Sequence, residues 1–135
     1  MQQVISPAQR LNGAVVLPGD KSISHRYAMI AAIAEGPSRI KRFSSGGDNQ
    51  STLGCVEALG IRVERTPDEV IVHGQGLDGL RQPAAALDAG NSGSTMRMLS
   101  GILAAQNFTA TMGGDESLSK RPMDRVMTQI GRAHV

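Results

Sequence analysis

Three clusters of cations and hydroxyls in the 135-residue chain sit where helices are expected to begin. In "LPGDKSISHRYAMIAAIAEG", Leu17–Gly36, the residues Lys21, Ser22, Ser24, His25 and Arg26 crowd ahead of a run of Ala and Ile. The first four N–H groups of a helix lack internal partners and carry the positive end of its dipole, so a helix start attracts an anion. Exposed cations there oppose the dipole by about 0.3 to 1 kcal/mol, and a purely structural helix would favour Asp or Glu instead. Lys21 and Arg26 are therefore candidate anion ligands, Arg as a flat fork and Lys as a mobile point charge, with Ser22 and Ser24 as hydroxyl donors. His25 reads as packing or facing solvent rather than binding.

The second cluster, "AGNSGSTMR" (Ala89–Arg97), follows the same logic. Gly90 and Gly93 remove side chains where a ligand could touch the backbone, Asn91, Ser92, Ser94 and Thr95 offer neutral donors, and Arg97 supplies charge. Taken alone it is equally well a loop that turns the chain. The third, "SLSKRPMD" (Ser117–Asp124), places Lys120 and Arg121 ahead of Pro122, read as the first residue of a helix. Solvated charge is the ordinary explanation for so short a loop. No Ser-His-Asp set, metal-ligand spacing or P-loop accompanies the clusters: "GDKS" lacks an upstream glycine at the required distance.

The elements that must hold these residues follow from period and punctuation. "GAVVLPG" (Gly13–Gly19) predicts a strand. Ser22 is the expected N-cap of a helix whose apolar face is Ile23, Tyr27, Ile30 and Ile33 with Ala31 and Ala34, ending at Gly36-Pro37. "SRIKRF" alternates as a strand, and a helix is expected from about Asn49 to Leu59, closed by Gly60. "IRVER" and "EVIVHG" form a hairpin through Thr66-Pro67-Asp68. After a Gly, Pro and Ala-rich connection the order restarts: a Gly-rich turn into a helix, "FTATM" as a strand, and a helix from about Pro122. Arg26 and Arg97 lie 71 residues apart, Asp48 and Asp115 lie 67 apart, and each Asp follows two glycines. A repeated strand, helix, strand, helix unit explains this economically, one copy at about 14–73 and an interrupted one at about 87–129.

Composition bounds the rest. The chain is 40% apolar and 19% charged, ordinary for a globular protein, and its net charge of +2 with only Tyr27, Phe43 and Phe108 as aromatics argues against nucleic acid. The longest apolar run, Tyr27–Ala34, is too short for a membrane span, and the N-terminal residues do not resemble a signal peptide, so a cytoplasmic location is expected. The lone Cys55, flanked by Leu53, Val56 and Leu59, reads as a buried structural thiol. "IGRAHV", 130–135, departs from the preceding helical pattern and matches one reading frame of a sequencing adapter, so it is read as a non-native tail on an N-terminal fragment.

Together, "LPGDKSISHRYAMIAAIAEG", "LDAGNSGSTMRMLSGIL" and "SLSKRPMDRVM" resemble the N-terminal part of the 3-phosphoshikimate 1-carboxyvinyltransferase (EPSP synthase) family, from about Ile5 to Gln129. The sibling family of UDP-N-acetylglucosamine enolpyruvyl transferases has Asn after the first Lys; here Ser22 follows Lys21. The resemblance implies an inside-out α/β barrel-type domain of repeated βαβαββ units, incomplete here. It also implies transfer of the enolpyruvyl group of phosphoenolpyruvate to the 5-hydroxyl of shikimate 3-phosphate. By position, Lys21, Ser22 and Arg26 resemble the shikimate 3-phosphate ligands. Lys21, Gly93 and Arg121 resemble phosphoenolpyruvate ligands, with Asn91, Ser94 and Arg97 in support. The family's acid and base lie in its other domain, so none is expected in this chain, which alone is expected to be inactive, marginally stable and to expose apolar helix faces. The full-length protein is expected to be a monomer needing no cofactor or metal. Met98 stands where many members have Pro, and Ser94 where Thr is common. The alternative is a non-catalytic module that binds anionic metabolites.

Overall fold

Asp20, not Ser22, opens the first helix. In a computed structural model that describes residues 3–133, the Asp20 carboxylate accepts a hydrogen bond from the Ile23 N–H at 2.7 Å, and α1 runs Lys21–Ala32. Ser22 thus lies inside the first turn. The buried face of α1 is also not the expected one. Ser24, His25, Ala28, Met29, Ala31 and Ala32 pack inward, whereas Ile23, Tyr27 and Ile30 are 43%, 55% and 59% exposed. Small side chains let neighbouring helices approach closely, so the larger apolar residues are left outside, as the expectation of exposed apolar helix faces requires.

Strand β1 (Glu35–Lys41), helix α2 (Gly47–Ala58), and strands β2 (Arg62–Arg65) and β3 (Glu69–Gln75) follow. The hairpin is as expected: Thr66 N–H donates to the Glu69 carbonyl at 2.9 Å, and Arg65 faces Val70 across the ladder. All pairings in this antiparallel sheet of order β1-β3-β2 put β3 in the middle, with Val70 and Val72 buried. Pro37 is tolerated because β1 is an edge strand. Helix α2 begins two residues earlier than expected and buries Leu53, Cys55 and Val56 in the common core, while Gly60 at φ +88° closes it. A Cβ on Gly74 would stand 2.1 Å and 2.3 Å from the carbonyl oxygens of Ala31 and Ala34, so only glycine lets the end of α1 rest on β3.

The remainder comprises β4 (Leu87–Asp88), α3 (Gly93–Leu103), β5 (Met112–Gly113), the short α4 (Glu116–Ser119) and α5 (Asp124–Ala133). β4 and β5 pair in parallel across α3. Several expectations are corrected here. "GAVVLPG" is not a strand: Val15 and Val16 are 82% and 91% exposed, and a strand exists only where a neighbour supplies a ladder, which no described element does. Of "FTATM" only Met112 pairs, because β4 presents just two residues. Pro122 does not begin a helix; Asp124 does, and α4, capped by Asp115, occupies part of the stretch read as a loop. Helix α5 continues through Ile130 to Ala133 without the expected break, while His134 and Val135 of the suspected tail lie outside the described residues.

Candidate functional site: two cationic helix starts

At the α1 start, the Asp20 cap engages the third helical N–H and leaves those of Lys21 and Ser22 without a protein acceptor among the described residues. Lys21 Nζ forms an ion pair with the Asp48 carboxylate in the first turn of α2, and the Lys21 carbonyl accepts a hydrogen bond from Asn49 Nδ2 at 2.9 Å. Two helix starts are thereby tied by one charge pair and one hydrogen bond. Ser22 and Arg26 are exposed, and among the described residues Arg26 has neither ion pair nor side-chain hydrogen bond.

The α3 start repeats the scheme with Ser92 as cap, its hydroxyl accepting from the Thr95 N–H at 3.1 Å. The Gly93 and Ser94 N–H groups have no acceptor among the described residues. Here the second and third sequence clusters merge. A Cβ on Gly93 would lie 2.7 Å from Arg97 Nη1 and 3.4 Å from Arg121 Nη1, so both guanidinium groups close over the same backbone. Arg121 Nη2 donates to Asn91 Oδ1 at 2.7 Å, and Asn91 Nδ2 donates to Asp115 Oδ2 at 2.6 Å. Arg97 Nη2 donates to the Pro122 carbonyl at 3.3 Å. The Asn91 bond above all, with the Leu118 amide next, holds the Asp115 carboxyl below the usual carboxylate range. Two like charges beside one helix start repel, and an anion on the free N–H groups would relieve that repulsion.

Residue types and spacing put Lys21, Ser22 and Arg26 at one start and Asn91, Gly93, Ser94 and Arg97 at another, and the structure keeps both groupings; Arg121, read in a third cluster and joined to Gly93 only by the family resemblance, lies at the second start. The structure does not leave Ser92 and Thr95 as ligand donors: both are fully buried. The supports Asp48, Thr52 and Asp115 went unread as such; the two Asp residues stood out only as markers of the repeat, and the one available signal for Thr52 is a polar side chain beside Leu53 on a buried helix face. Lys120 is spent on Glu116 one turn away. His25 is buried and bonds Thr52 through Nδ1 at 2.6 Å; burial lowers its pKa, against the opposing pull of Asp48. Cys55 is the expected inert thiol, its Sγ donating to the Asp88 carbonyl at 3.4 Å and its pKa raised by burial to about 11. One cavity of 410 Å³ adjoins the α1 start, lined by Asp20, Ser24, Tyr27, Arg39 and Arg42, and an apolar one of 630 Å³ lies between α3 and α5.

An α/β unit whose neighbouring helix starts each present free amides beside cations has the chemistry to receive small anions. The chain belongs to the EPSP synthase (3-phosphoshikimate 1-carboxyvinyltransferase) family, whose model matches residues 5–134. It is 64% identical over 98% of its length to the 3-phosphoshikimate 1-carboxyvinyltransferase of Solibacter usitatus and 57% identical over 93% to that of Koribacter versatilis. It spans 31% and 30% of those relatives. An EPSP synthase structure from Acinetobacter baumannii superposes with a TM-score of 0.85 at 47% identity, covering 89% of this chain and 27% of that one. The expected fold class is therefore correct, and its incompleteness agrees with that coverage. No helix among the described residues is long and apolar enough to cross a membrane.

Proposed function

We propose that this chain supplies one wall of the substrate cleft of an enzyme that transfers the enolpyruvyl group of phosphoenolpyruvate to the 5-hydroxyl of shikimate 3-phosphate, releasing phosphate. The observation that carries the reading is the closure of Arg97 and Arg121 over Gly93, a cation pair that is unfavourable without an anion between them. Lys21, Ser22 and Arg26 would hold shikimate 3-phosphate. Gly93 and Arg121 would hold phosphoenolpyruvate, with Lys21 reaching both, and Asn91, Ser94 and Arg97 would support the second site. The reaction protonates carbon 3 of phosphoenolpyruvate, adds the hydroxyl to carbon 2, and expels phosphate from the tetrahedral intermediate. Fixed cations stabilise the anionic groups of that intermediate, the electrostatic share of the work. Proton transfer needs a placed acid and base, which the family resemblance assigns to a domain outside these residues. The unit boundaries near 14–73 and 87–129, the non-native origin of 130–135, the monomeric state and the cytoplasmic location belong to the same reading.

The test is a chimera in which residues 5–129 replace the matching stretch of the Solibacter usitatus relative, assayed for phosphate release from the two substrates. Turnover near that of the parent is expected, and Lys21→Ala should abolish most of it. An inactive but folded chimera, or one indifferent to Lys21→Ala, would refute the assignment and favour a non-catalytic anion-binding module.

A further inference from the structure

Between the two cationic helix starts runs a buried chain of polar side chains that binds no ligand in the scheme above. His25 Nδ1 meets Thr52 Oγ1 at 2.6 Å, Thr52 Oγ1 meets Thr95 Oγ1 at 2.7 Å, and Thr95 Oγ1 donates to Ser92 Oγ at 2.7 Å. The chain visits α1, α2 and α3 in turn, and all its members are fully buried. The same three helices also bury the apolar residues Ala28, Leu53 and Leu99. An apolar residue at position 52 would fill such a junction with no hydroxyl to satisfy, and burying a hydroxyl costs about 1–3 kcal/mol unless it is bonded. A bonded hydroxyl differs from a methyl in direction: it fixes distance and orientation where apolar contact tolerates sliding.

The ends of the chain show what is fixed. Ser92 is the N-cap of α3, and its oxygen accepts both the N–H and the hydroxyl of Thr95, so its rotamer is set twice. That rotamer leaves the Gly93 and Ser94 amides unspent beside Arg97 and Arg121. At the other end His25 lies one turn beyond Lys21, and the Asp48 carbonyl, 3.3 Å from Thr52 Oγ1 and 3.4 Å from Thr95 Oγ1, belongs to the residue that pairs with Lys21. We infer that Thr52 is a positioning residue: through His25 on one side and Thr95 with Ser92 on the other, it sets the two anion-binding helix starts in register. This inference rests on the proposed function for its ligands but not for its geometry.

The test separates the two. Amide hydrogen exchange on the full chain should show that Thr52→Val speeds exchange at Ser24 and Thr95 by about five-fold more than at Val72 in the central strand, the scale of one buried hydrogen bond. Thr52→Ser, which keeps the hydroxyl, should restore both. Thr95→Val breaks the same link from the other side and stands in if Thr52→Val does not fold; the double variant should be no worse than the poorer single one. Uniform acceleration at all three amides, or additive losses in the double variant, would overturn the inference by making Thr52 an ordinary packing residue. In the chimera, Thr52→Val should raise KM for phosphoenolpyruvate and for shikimate 3-phosphate with Thr52→Ser near the parent. Local exchange effects in a chimera that binds neither substrate would leave the positioning role standing and remove the proposed function instead.

Discussion

Replacing Arg121 by Ala distinguishes a substrate ligand from a structural cation more sharply than any other single change. In the free chain its guanidinium bonds Asn91 Oδ1 at 2.7 Å and Ser117 Oγ at 3.4 Å, neutral acceptors near the surface, while its neighbour across Gly93 is another Arg. Losing the bonds and losing the like-charge repulsion act in opposite directions, so stability should change by no more than about 0.5 kcal/mol. Binding is different. A charge-assisted hydrogen bond to a phosphate or carboxylate is worth about 1.5–3 kcal/mol, which is a rise of about 10- to 150-fold in KM for phosphoenolpyruvate. In the chimera, the KM for shikimate 3-phosphate should stay within about two-fold because that site lies at the other helix start. Arg121→Lys should fall between, since a point charge cannot keep the alignment that Asn91 gives the fork. A thermal midpoint lowered by more than about 5 °C with KM unchanged would refute the reasoning and make Arg121 a fold residue.

Gly74→Ala should destabilise the chain by more than about 2 kcal/mol, read as a lower urea midpoint, because its methyl would meet two backbone oxygens that cannot swing aside. Cys55 should resist a thiol reagent at pH 8 in the native chain and react once urea unfolds it, since burial raises its pKa to about 11. The sign of the linkage follows: the thiol is protonated in both states below about pH 9, so its share of stability is intact there and is lost as pH rises toward 11. Urea midpoints of the native chain and Cys55→Ala should converge over that window.

What was legible in the sequence was what is decided locally. The β2–β3 hairpin is set by Thr66-Pro67-Asp68 and by alternation in the strands, and α2 by its apolar spacing and Gly60; neither needs a distant partner to declare itself. "GAVVLPG" has the composition of a strand, yet a strand is half of a pairing, and no described segment offers the other half. The α1 face was misjudged because Ile23, Tyr27 and Ile30 are its most apolar residues, while the side that packs is chosen by how closely three helices approach, which favours Ser24, Ala28 and Ala31. The site divides along the same line. Lys21, Arg26 and Arg97 betray themselves by standing against the dipole of their own helix. Asp48 and Thr52 act through contacts 27 and 43 residues away in sequence, and no local pattern marks those.

The ion pair between Lys21 and Asp48 gives ligand binding the character of an exchange. Lys21 is never bare: the carboxylate at the α2 start already neutralises it, and does so from a position that the α2 dipole favours. An arriving anion must displace that carboxylate or share the ammonium with it, so one more carboxylate of equal strength gains little. A dianionic phosphate, or a ligand that engages Lys21 and another cation together, gains more than it displaces. Under the proposed function, the site would discriminate against monocarboxylates without a steric gate, using a competitor built into the neighbouring helix.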